Sequence, residues 1–116
     1  MHLKNFRLDP PEVRPQCVHF DVLPRDTVGR ISAGIVDVRP GGTSFSDPHT
    51  LWRQVFFFLS GSGKLVLTAP DGKTSELPVE KDTVAEIPFD TRHAIVADPG
   101  VPVTYLYVND YSQPVR

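Results

Sequence analysis

The chain has 116 residues, 40% of them hydrophobic, which is enough to bury one core and too little for two domains. Its formal net charge of −2, from 12 basic and 14 acidic residues, comes without blocks of either sign, so it carries no electrostatic footprint for nucleic acid or a membrane surface. Twelve prolines and eight glycines exclude long helices, because proline removes a backbone donor and punctuates any regular pattern.

The N-terminal stretch MHLKNFRLDPPEVRP lacks the apolar run of a secretory signal, and no later stretch approaches the roughly 20 apolar residues of a spanning helix. A soluble cytoplasmic protein is the expectation. Residues 1–27 hold Pro10, Pro11, Pro15 and Pro24 and read as an N-terminal arm, an edge or dimer-exchanged strand, ahead of a barrel domain over residues 28–116. Cys17 is the single cysteine, so no internal disulfide forms, and beside Val18 it reads as a small core residue. VGRISAGIVDV, residues 28–38, reads as one strand ended by RPGGTS. QVFFFL is a strand, SGSG a hairpin turn, KLVLT a strand, and APDGK a tight reversal. TSELPVE, DTVAEIPF, HAIVAD and VPVTYLYVND continue the rhythm, with PFDTR and DPGVP as turns. Strands at that spacing with no helical period between them predict an all-β, antiparallel sandwich or barrel.

Strand parity refines this. Gln54, Phe56 and Phe58 share one face, and Val55, Phe57 and Leu59 share the other. Both faces are apolar, so the second face is expected to be covered by the N-terminal arm or by a second subunit, and a homodimer is the working expectation. In the last strand Tyr105 and Tyr107 lie on one face with Val103, where they either pack in the core or line a cavity with their hydroxyls.

The chemistry-bearing residues gather at two places. Asp47 and His49 are two apart, so an extended segment points them the same way, and Gln54 at the start of the next strand can join them. His93 begins the apolar strand HAIVAD, sharing a face with Ile95 and Ala97. Taken alone, such a histidine is more often a core residue satisfied by a backbone carbonyl. Arg53 and Arg92 flank these positions. Arg53 is opposite in parity to Gln54, which leaves Arg92 as the expected partner for a substrate carboxylate. Trp52 shares the parity of Gln54 and packs at the rim or in the core. His2 and His19 have no ligand-spaced partners, and His19 borders the cavity only if the arm folds over it. GSGK lacks the spacing and the following helix of a phosphate loop.

The segments GGTSFSDPHTLWRQVFFFLSG and KDTVAEIPFDTRHAIVA resemble the two motifs of the cupin superfamily. Gly41, His49 and Gly61 fall on the first motif, and Pro88 and His93 on the second. The departures are Asp47 for the first histidine, Gln54 for the glutamate, Lys81 for the opening glycine of the second motif, Asp90 for the glycine after proline, and Ala97 for the closing asparagine. The resemblance implies a small double-stranded β-helix, or jelly-roll barrel, commonly dimeric, with a metal near one end of its cavity. It also implies that Asp47, His49, Gln54 and His93 occupy the four ligand positions. Asp47, two neutral histidines and Gln54 sum to one negative charge, as the usual set of three histidines and one glutamate does. Two histidines and a carboxylate are the donors of non-haem Fe(II) oxygenases.

The leading expectation is therefore a metal-binding cupin acting on a small organic molecule, with Fe(II) dioxygenase chemistry in a cavity shaped by Phe56, Phe58, Arg92, Tyr105 and Tyr107. The same site with Zn(II), Ni(II) or Mn(II) suits isomerase or lyase chemistry. The alternative is a metal-free cupin that binds a sugar or a carboxylate, and the third reading is an interaction domain with no site.

Overall fold

The computed structural model describes residues 3–44 and 52–112. Nine strands follow one short 3-10 turn, Phe6–Leu8: β1 (Glu12–Val13), β2 (Cys17–Val28), β3 (Ile31–Val38), β4 (Arg53–Ser60), β5 (Ser62–Thr68), β6 (Thr74–Glu80), β7 (Val84–Ile87), β8 (Arg92–Ala97) and β9 (Val103–Asp110). They form a six-stranded sheet in the order β1-β2-β3-β9-β4-β7 and a three-stranded sheet in the order β6-β5-β8. All named pairs are antiparallel. The sheets face each other without closing into a continuous barrel. The jelly-roll expectation is met in this open form.

The core lies between the sheets. Val36, Phe56, Phe58 and Tyr105 project from the larger sheet onto Leu65 and Ile95 of the smaller one. Cys17 is buried in the same core, as its apolar context predicts. The APDGK turn forms as read: it joins the paired strands β5 and β6, with Gly72 at φ +87. Pro78 is tolerated within β6 because that strand is an edge of its sheet.

Two sequence expectations change. The single strand expected over residues 28–38 divides at Gly29 (φ +55) into the end of β2 and the start of β3, so the sheet already begins at Glu12, upstream of residue 28. Pro24 hid this. It lies in β2 between Leu23 and Val28, where the register with β3 shifts and no ladder donor is needed. The second change is at SGSG, which is no hairpin turn. Strands β4 and β5 belong to different sheets, and Gly61 (φ +84) is the corner at which the chain crosses between them. A Cβ on Gly61 would fall on the Pro102 carbonyl. Asp90, where the motif has glycine, also takes a left-handed conformation (φ 54), which aspartate tolerates better than most residues.

On the outer face of the six-stranded sheet, the register aligns Phe20, Ile35, Leu106, Phe57 and Val84 across five strands. The Phe6–Leu8 turn covers one end of this row. Phe6 meets Phe20 edge-on at 5.8 Å, and Arg7 lies over the Phe20 ring while pairing with Asp37 at 2.6 Å. The arm therefore covers part of the face, and Phe57, Leu59 and Val84 stay exposed.

Candidate functional site

Strand β4 alternates as its sequence requires. Gln54, Phe56 and Phe58 are buried and face the small sheet, while Arg53, Phe57 and Leu59 are exposed. Phe56 is the centre of the aromatic interior. It stacks on Tyr105 at 5.0 Å and meets His93 edge-on at 5.2 Å and Phe58 at 6.4 Å. His93, the first inward residue of β8, is 4% exposed, so the strand from the small sheet delivers it against a ring from the large one. Arg92 precedes it on the opposite parity and is exposed, so it lies on the other face of β8 from His93, Ile95 and Ala97.

Gln54 is 4% exposed, and its Oε1 has no hydrogen-bond partner among the described residues. Directly opposite it in the β4–β9 ladder is Asn109, and opposite Asn109 in the β3–β9 ladder is Ser32. The Asn109 Nδ2 donates to Ser32 Oγ at 3.2 Å and to the Tyr111 hydroxyl at 3.3 Å, and Ser32 Oγ and the Tyr111 hydroxyl lie 3.0 Å apart. The Trp52 ring packs on Tyr111 at 5.1 Å, and Arg25 covers the Tyr111 ring at 4.0 Å. Ser32, Asn109 and Tyr111 escape a sequence reading, because nothing in their local context signals the cross-strand register that joins them to Gln54.

Tyr107 takes a different path from Tyr105. Its ring lies over Gly34, where any Cβ would collide with it, and its hydroxyl meets His19 Nε2 at 2.6 Å. Glu12 Oε1 is 3.7 Å from His19 Nδ1, and Asp21 Oδ1 is 3.8 Å from Nε2. His19 thus borders the interior through Tyr107, on strand β2.

Asp47 and His49 lie outside the described residues. Among the described residues no three His, Cys, Asp or Glu side chains come together. Gln54 and His93 are the two members of the expected ligand set that can be described, and both face the interior. The described chain before residue 45 ends beside β8. The Ser44 N–H donates to the Ile95 carbonyl, and Ser44 Oγ accepts the Ile95 N–H at 2.8 Å, two residues from His93.

Many solved structures share this architecture, among them the following three. A mutant of oxalate decarboxylase from Bacillus subtilis superposes with a TM-score of 0.79 at 17% identity, over 90% of this chain and 28% of that one. A formate complex of oxalate decarboxylase from Lactobacillus farciminis gives 0.77 at 20%, over 91% and 32%. The polyketide cyclase RemF from Streptomyces resistomycificus gives 0.70 at 25%, over 98% of this chain and 82% of that one. The chain spans less than a third of the length of the oxalate decarboxylases it matches. No protein-family model matches it, and no curated protein matches it in sequence.

Proposed function

We propose that this chain, which has a small cupin fold, binds a divalent metal ion and acts on a small organic molecule between its sheets. The observation that carries the reading is Gln54, a buried amide whose Oε1 has no partner among the described residues, at one of the four positions the motif resemblance assigns to ligands. Leaving a buried acceptor without a donor costs about 1–3 kcal/mol, and a cation would offset that cost. The residues fit such an ion. An amide oxygen and an imidazole are both divalent-metal donors, and Asp47 and His49 would complete the set with one negative charge.

When bound, the ion would supply Lewis-acid or one-electron chemistry at its open positions. Beside it, the mutually packed rings of Phe56, Phe58 and Tyr105 form an apolar wall that excludes water. Gln54 cannot take a proton, so acid–base work falls to the Tyr107 hydroxyl, which can pass a proton to or from His19 Nε2 across 2.6 Å. With Arg92 exposed, no carboxylate clamp is drawn from it.

Fe(II) in a dioxygenase is the finer proposal, from the donor set of two histidines and a carboxylate. The Mn(II) centres of the Bacillus subtilis oxalate decarboxylase make Mn(II) its nearest rival, with Zn(II) and Ni(II) in isomerase or lyase roles behind. A metal-free binding cupin is the second reading, favoured by the neutral Gln54 where the motif has a carboxylate. We also propose a homodimer, supported by the exposed apolar residues Phe57, Leu59 and Val84.

The test is elemental analysis of tag-free protein beside a variant with His49→Ala and His93→Ala. A stoichiometric Fe, Mn, Ni or Zn that the variant loses supports the site. Absence of metal after anaerobic loading with Fe(II) and with Mn(II) overturns it.

A further inference from the structure

We infer that Trp52, Gln54 and Asn109 form a subsite for a neutral ligand bearing two adjacent hydroxyls. The inference rests on the reading that the interior takes a small molecule, and it adds the chemical class of that molecule.

Gln54 and Asn109 are directly opposed across β4 and β9, which puts their Cβ atoms about 5 Å apart. They are 4% and 7% exposed, and each has one amide oxygen without a partner among the described residues. The Asn109 Nδ2 donates to both the Ser32 and the Tyr111 hydroxyls, an orientation that turns its Oδ1 away from them. Its Oδ1 is the atom left over. Two residues before Gln54 and on the same parity, Trp52 holds its Nε1 buried and without a partner among the described residues, while the ring rests on Tyr111 at 5.1 Å. Trp52 is only half-buried, so it brings this cluster to the surface.

The atoms left over are two neutral acceptors and one donor. A carboxylate offers acceptors alone and would face two amide oxygens, and among the described residues no lysine or arginine is buried to receive it. Arg53 and Arg92 are exposed, and Arg25 is engaged over the Tyr111 ring. An ammonium offers donors alone and would leave the indole N–H unmet. A vicinal diol supplies one O–H to each amide oxygen and a lone pair to the indole. Its carbon skeleton would lie toward Phe56 and Tyr107, the next opposed pair on the same face. A single buried water has the same inventory of donors and lone pairs, so it is the competitor the experiment must separate.

Trp52 is the single tryptophan of the chain, and its emission reports on the subsite directly. The full-length protein, as purified and after EDTA treatment, is titrated with cis-1,2-cyclohexanediol, cyclohexanecarboxylate and cyclohexylammonium. The expected result is a saturable change with the diol alone, weakened at least tenfold in Asn109→Leu and in Gln54→Met. If Asn109→Leu does not fold, Gln54→Met carries the test, because it removes the amide oxygen while keeping the side-chain length. Equal or tighter binding of the carboxylate or the ammonium overturns the inference, as does a diol response that both variants retain. Absence of any saturable response also overturns it and leaves a resident water as the occupant. A diol response with no metal in the protein sinks the metal reading alone, and a metal-loaded protein blind to the diol sinks this inference alone.

Discussion

The inner face of β4 and β9 has two halves that obey the same parity and do opposite things. At one end Phe58, Phe56 and Tyr105 fill the space between the sheets with rings that touch each other and His93. One step further along the same strands, Gln54 and Asn109 replace rings with amides, and each keeps an oxygen without a partner. The aromatic half is satisfied by packing, which needs no outside molecule. The amide half is buried at a cost that nothing among the described residues repays, and both the proposed ion and the proposed diol subsite rest on that cost.

The sharpest way to break this contrast is to empty the aromatic half. Phe56→Ala should cost about 3–5 kcal/mol, read as a lower midpoint in urea denaturation, because Phe56 is 2% exposed and meets rings on three strands. Gly34→Ala comes next. Its Cβ would land on the Tyr107 ring, and β3 is held on both sides by β2 and β9, so the cost should be about 1–3 kcal/mol. Nitrogen-detected spectra should show the His19 signals shift as its bond to Tyr107 breaks. In the amide half the sign reverses. Gln54→Met should be neutral or raise stability by about 1 kcal/mol, since it removes a buried acceptor that has no donor, while bound metal falls in elemental analysis.

Outside the sandwich the effects shrink. Phe57→Ser should change monomer stability by no more than about 0.5 kcal/mol, because the ring is exposed. If the outer face is the proposed dimer contact, the same variant should sediment as a monomer where the parent protein sediments as a dimer. Smallest of all is Asp110. A hydrogen bond from the Ser112 side chain, a second from the Ser112 backbone N–H and the charge of Arg53 hold its carboxyl below the ordinary value of 3.8. Its contribution to stability is therefore fully present above pH 4 or so and is lost as pH falls through the lowered folded value. Ser112→Ala should move the Asp110 titration, followed by NMR, back up toward 3.8.

Much of this architecture is legible residue by residue. Side chains alternate along a strand, so the burial of Gln54, Phe56 and Phe58 and that of His93, Ile95 and Ala97 follow from spacing alone. The same rule separates Arg92 from His93, although the charge of Arg92 beside a candidate ligand argued for the pocket. Glycine reads less cleanly. Gly72 marks a hairpin and Gly61 a corner between sheets, yet both sit in short polar stretches between strands, and only the pairing partners distinguish them. Asp47 and His49 lie outside the described residues, so their part in the site rests on the motif resemblance.

The order of residues by itself determined the class of fold, the strands after Val38 and the inward sets of β4, β8 and β9, because these depend on turn chemistry and a period of two. Tertiary structure decided which strands become neighbours. That choice joined Gln54 to Asn109 and Ser32, carried Tyr107 across Gly34 to His19, and left part of an apolar outer face uncovered. Register between strands far apart in the chain is set by the packing of the whole core, and no local stretch of sequence contains it.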